Sequence, residues 1–112
     1  MSAFTLRDPT RSEQMAAAWE AFVDGLVDGY SMGIYEYTND LHCRVYLEEH
    51  RTDEDVLAMW PRVENADERA KAILLPAKGC LHGDHPRSWF WYWTYPASSP
   101  ELEADLRRID LI

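Results

Sequence analysis

The densest grouping of reactive side chains is Cys80-Leu81-His82-Gly83-Asp84-His85. A thiolate, two imidazoles and a carboxylate are all zinc ligands, and the glycine would let such a loop wrap an ion. Structural zinc sites usually join one close pair of ligands to a second, remote pair. Here the remote pair would have to come from His42, Cys43 or His50. Read as a strand, that segment turns Cys43 inward and His42 outward, so the two do not face one ion. Cys80, His82 and His85 are therefore weak candidates for metal ligands, and no cofactor is expected. A catalytic thiol is no better supported. Activation needs an imidazole within hydrogen-bond reach and a third group to orient it. The two-residue offset from Cys80 to His82 does not generally bring the side chains together. A lone cysteine is more commonly a small apolar core residue.

Carboxylates form the second grouping. Glu48-Glu49 and Asp53-Glu54-Asp55 place five acids within eight residues. Their mutual repulsion must be offset by a helix dipole, a metal or a basic partner. The run lacks the central glycine and the terminal glutamate of a calcium loop. Asp53 to Asp55 read as acids at a helix start, and the functional reading of the five is an acidic knob fitting a groove meant for phosphates. The third grouping is Trp89, Trp91 and Trp93. Exposed, such rings stack bases or anchor a protein interface; buried, they are core. Core is the expectation for at least one face. No phosphate-binding loop, dinucleotide fingerprint, nucleophile elbow or HExxH motif occurs.

The elements that would position these groups follow from spacing. Thr10 and Glu13 form a possible capping box. Met15, Trp19, Phe22, Val23 and Leu26 then recur at helical intervals, and Gly29 is placed to end the helix. From residue 31 to 49 the period becomes two. Leu41, Cys43, Val45 and Leu47 alternate with His42, Arg44, Tyr46 and Glu48, which predicts a strand. Met32 to Thr38 is its predicted partner, with a turn at Thr38-Asn39-Asp40. A helix opening at Thr52-Asp53-Glu54-Asp55 carries Val56, Leu57 and Trp60 and meets Pro61, which should end or kink it. Another helix is expected over about Asn65 to Leu75, then a loop from Pro76 to Arg87. An aromatic strand over Ser88 to Tyr95 follows, and a last helix begins at Ser99-Pro100-Glu101.

The expected fold is thus α+β, ordered α-β-β-α-α-β-α, with about three antiparallel strands packed against helices in a single domain over residues 1–112. The length suits one domain, and the 46% hydrophobic content is enough for a core. Two cysteines are too few for a disulfide framework. Met1 to Pro9 lacks the basic and apolar regions of a signal peptide, so the expected location is cytoplasmic.

Charge narrows the function. Twenty Asp and Glu face eleven Lys and Arg, a net charge of −9. Nucleic-acid binding relies on cations that displace counterions, and anionic membranes attract the same cations. Direct binding of either is therefore not expected, whereas a protein partner with a basic surface is. An acidic surface also serves solubility alone. The sequence favours a non-catalytic acidic binding module or inhibitor that occupies a basic, nucleic-acid-binding site on a partner protein through Glu48, Glu49, Asp53, Glu54 and Asp55. Phage anti-CRISPR inhibitors and bacterial immunity proteins work broadly this way, an analogy of size and charge only. The alternative is a small metal-binding domain or enzyme centred on Cys80 to His85.

Overall fold

In the computed structural model, residues 9–81, 90 and 93–112 are described. Helix α1 (Arg11–Leu26) begins at the expected capping box. The Thr10 hydroxyl accepts from the Glu13 N–H at 3.1 Å, and the Thr10 N–H donates to Glu13 Oε1 at 3.2 Å. Its buried stripe is Ser12, Ala16, Trp19, Val23 and Leu26, spaced by three or four residues as a helix face requires. Met15 and Phe22, expected on that stripe, sit half-buried at its edge. Gly29 follows with φ 90°, and its N–H returns to the Leu26 carbonyl at 2.9 Å.

The predicted hairpin is not formed. Its residues make two short helices, α2 (Ile34–Asp40) and α3 (His42–Glu49), joined at Leu41. Tyr37, Leu41, Arg44 and Leu47 are buried, which is the three- and four-residue spacing of a helical face. The alternation of 41, 43, 45 and 47 also contains a helical pair, Cys43 and Leu47, so it did not discriminate. The first turn of α2 has no side-chain cap of its own. Asp105 from the C-terminal helix supplies one, accepting from the Ile34 N–H at 3.0 Å.

The two helices expected on either side of Pro61 are one, α4 (Glu54–Lys71). Proline removes one backbone bond, but burial of Val56, Val63, Ala66 and Ala70 along a single stripe holds the helix through it. It stops before Leu75. Leu74–Pro76 instead forms β1, antiparallel to β2 (Trp93–Pro96), with Leu75 opposite Tyr95 and an irregularity before Pro76. Among the described residues the sheet has two strands, not three. Among the described residues of the predicted aromatic strand, Trp93 to Tyr95 lie in β2 and Phe90 is helical, while Ser88, Trp89, Trp91 and Tyr92 lie outside the described residues. Helix α5 (Pro100–Arg108) starts after Ser99, as expected, and buries Leu102 and Leu106.

Among the described residues the elements run α-α-α-α-β-β-α, with Phe90 helical between the two strands, still a mixture of helices and an antiparallel sheet. Helix α1 lies against α3 and α4, and α2 against α5. The core between them is Trp19, Val23, Leu47, Val56, Val63 and Ala66, with Leu102 and Leu106. No helix among the described residues is long and apolar enough to cross a membrane.

Candidate partner-binding surface

A charged cluster lies inside this helical packing. Arg44, in α3, is 1% exposed. Its Nε and Nη2 donate to the two oxygens of Asp67, in α4, at 3.0 and 2.9 Å, the bidentate geometry of a guanidinium–carboxylate pair. Trp19 Nε1, from α1, donates to the same Asp67 Oδ1 at 2.9 Å. Arg44 Nη1 reaches Glu48 at 2.9 Å, and the guanidinium also faces the rings of Trp60 and Phe90, 5.3 and 4.7 Å from their centres. Three helices are tied at one point by charge and stacking. The hollow beside it, of about 390 Å³, is lined by acids and bases together, including Arg51, Glu64 and Lys71. Such a mixed lining satisfies itself.

The five acids expected to bind a partner gather at the corner between α3 and α4, but most have partners within the chain. Glu48 pairs with Arg44 and with Arg51 at 3.7 Å. Asp53 meets His50 Nδ1 at 2.9 Å. Asp55 accepts from the buried Ser12 hydroxyl at 2.5 Å, which holds its carboxyl below the usual aspartate range. Glu49 and Glu54 are exposed and pair with no cation among the described residues.

A second acidic surface, which sequence reasoning missed, lies at the far end of α1. The Tyr30 hydroxyl donates to Asp40 at 2.7 Å. Burial, that hydrogen bond, and the charges of Asp40 and then Glu36 all push the phenol's pKa up. Asp28 and Glu101 line the hollow on the other side of Tyr30. Among the described residues, no lysine or arginine pairs with Asp28, Glu36, Asp40 or Glu101. Large apolar side chains are exposed in the same stretch of chain: Val27 at 72%, Met32 at 50% and Tyr35 at 74%. The surface is firmly built. The Tyr30 N–H donates to the Ser98 carbonyl at 2.8 Å, and Asp105 joins α2 to α5. The four-residue spacing of Glu36 and Asp40 was available in the sequence, but Glu36 was assigned to a strand and Asp40 to a turn, so the two were not read as one surface.

Of the thiols, Cys43 is buried, with its Sγ 3.4 Å from the Asp40 carbonyl, and burial pushes its pKa up to about 11. His42 beside it is exposed. Cys80 is half-buried, and His82 and His85 lie outside the described residues. Among the described residues, no three His, Cys, Asp or Glu side chains converge as a metal site would require. Comparison with protein-family models, curated proteins and solved structures finds no match to this chain.

Proposed function

We propose that the chain is a non-catalytic, acidic protein-binding module that occupies a basic, nucleic-acid-binding surface of a partner protein. One observation carries the reading. Carboxylates without cations of their own, Asp28, Glu36, Asp40 and Glu101, share the α1–α2–α5 end with exposed Val27, Met32 and Tyr35. Charge at a rim steers association and selects the partner's sign, and central aromatic and apolar groups supply most of the affinity. Glu49 and Glu54, at the α3–α4 corner, extend the acidic character. Glu48, Asp53 and Asp55 contribute less, because binding a new cation would compete with the partners they already hold.

The test begins with affinity capture of a partner and continues with that partner purified. Adding this protein should displace nucleic acid from it, with an affinity that falls as salt rises. The joint replacement Asp28→Asn, Glu36→Gln, Asp40→Asn and Glu101→Gln removes four rim charges. At about 0.5 kcal/mol each, the sum is about 2 kcal/mol, or about thirtyfold in affinity. A ternary complex in which the partner holds nucleic acid and this protein at once would refute the proposal. So would unchanged affinity in the fourfold variant and in a matching variant of Glu49 and Glu54.

A further inference from the structure

Three hollows join end to end, two along the outer side of α1 and the third past its C-terminal end. The first, about 340 Å³, lies between Met15, Ala18 and Phe22 on α1 and Asp40 and His42 opposite. The second, about 280 Å³, shares Phe22 and Asp40 and continues past Ala21 and Gly25 to Tyr30. The third, about 590 Å³, shares Tyr30 and ends at Asp28 and Glu101. Small residues leave this space: Ala18, Ala21 and Gly25 are exposed, and a Cβ added at Gly25 would meet nothing within 4 Å. The floor is aromatic, since Phe22 packs on Trp19, Tyr30 and Tyr37 at centroid distances of 6.1, 6.1 and 6.0 Å. Carboxylates sit in the middle and at one end. Among the described residues, no lysine or arginine lines any of the three hollows.

We infer that this groove takes an amphipathic helix of the partner, apolar on the face toward α1 and rich in lysine or arginine along its edges. The inference rests on the function proposed above and adds the mode of recognition. From Met15 to Gly25 the floor runs about 15 Å at 1.5 Å per residue. That length fits three helical anchors at i, i+4 and i+7. The anchors seat in the two hollows beside Ala18, Ala21 and Gly25, and the flanking cations meet Asp40 there and Asp28 and Glu101 in the third hollow beyond the helix end. The same carboxylates oppose the other occupants of an apolar groove. A second copy of this chain would bring its own three acids against them, and anionic lipid or nucleic acid would be repelled.

The probe is a synthetic peptide of about fifteen alanines and lysines carrying leucines at i, i+4 and i+7. Its control is a scrambled peptide of identical composition. Titrated into the full chain at low salt, the ordered peptide should bind at least about tenfold more tightly than the scramble. Filling the groove with Ala18→Trp, or with Gly25→Leu as an independent variant, should weaken the ordered peptide by at least about tenfold. In both variants circular dichroism should be unchanged. Neutralising Asp28, Asp40 and Glu101 should flatten the salt dependence instead. Equal binding of both peptides would overturn the groove while leaving the acidic-binder reading intact. Failure of both peptides to bind at low salt would overturn both readings. A free protein that is dimeric by light scattering, and becomes monomeric with Ala18→Trp, would make the groove a self-association surface and overturn the inference.

Discussion

Replacing Asp67 with alanine tests whether the interior charge cluster holds the helices together. The carboxylate accepts three hydrogen bonds, two from Arg44 and one from Trp19, at 2.9 to 3.0 Å. Arg44 and Trp19 are almost completely buried, so solvent cannot replace the lost acceptor. Removing one partner of a buried ion pair costs about 3–5 kcal/mol, and leaving an indole N–H unsatisfied costs about 1–3 kcal/mol. The two losses share one site and do not add fully, because Arg44 retains Glu48 and its aromatic faces. The expected loss is about 4 kcal/mol, out of a total of about 5–15 kcal/mol for a domain. Urea denaturation followed by circular dichroism measures it. The melting temperature should fall by about 15 °C or more.

The cluster's net contribution is a different quantity. An uncharged pair of similar shape, Arg44→Met with Asp67→Asn, leaves Trp19 an acceptor and buries no unpaired charge. That double variant should recover most of the stability lost by the singles, with a coupling energy of about 2–3 kcal/mol. A loss below about 1 kcal/mol for Asp67→Ala would refute the reasoning, since it would mean that water or another group reaches the guanidinium.

Four further outcomes are expected. Gly29→Ala should destabilise the fold by about 2 kcal/mol or more in the same urea assay, because its positive φ and a Cβ only 2.6 Å from the Ser98 carbonyl oxygen both oppose a side chain. Gly25→Ala should stabilise it by about 0.5–1 kcal/mol, since the site is helical and open. In Ser12→Ala, the Asp55 carboxyl should titrate closer to the ordinary aspartate value by NMR. Because its folded-state pKa is depressed, the Ser12 contribution is present above the unfolded pKa of about 4 and is lost as pH falls through the folded value. At pH near 8, native Cys43 should react with a thiol reagent about a hundredfold more slowly than in the urea-unfolded chain, its pKa being raised from 9.0 to about 11; equal rates would contradict its burial.

Helix ends were the most legible feature of the sequence. Capping chemistry acts within three or four residues, so Thr10 with Glu13, Gly29, and Ser99 before Pro100 could all be read without tertiary context. The middle of the chain was illegible for a specific reason. A strand assignment for residues 41–47 required Arg44 to point at solvent, and a charged residue counts against burial in any reading by pattern. Arg44 is in fact among the most buried side chains, because Asp67, twenty-three residues later, neutralises it. The same pair explains α4. There Asp67 occupies the buried stripe, and Arg69 reaches out to Asp24. Two buried charges mask one another's helices, and neither is interpretable until both are placed. The acidic surface was lost with them, since Glu36 was read in a strand and Asp40 in the turn after it, whereas one helix, α2, carries both on one face.

That packing also accounts for where the negative charge is left. The contacts of α4 with α1 and α3 consume cations: Arg62 pairs with Glu20, Arg69 with Asp24, and Arg44 with Asp67, while Arg51 pairs with Glu48 beside them. Lys78 is held by Asp110 near the C-terminus, and Arg108 by Asp105 in the last turns of α5. Among the described residues, Asp28, Glu36, Asp40 and Glu101 at the α1–α2–α5 end pair with no lysine or arginine. An acidic chain that scattered its cations evenly would present a weak, uniform field, which serves solubility and selects no partner. Cations paired between helices leave the carboxylates of the α1–α2–α5 end near the exposed Val27, Met32 and Tyr35, the arrangement on which the proposed function rests. On the proposed function, exchanging the interior pairs for apolar residues should leave binding to a captured basic partner nearly unchanged, whereas adding lysines beside Asp28 should abolish it.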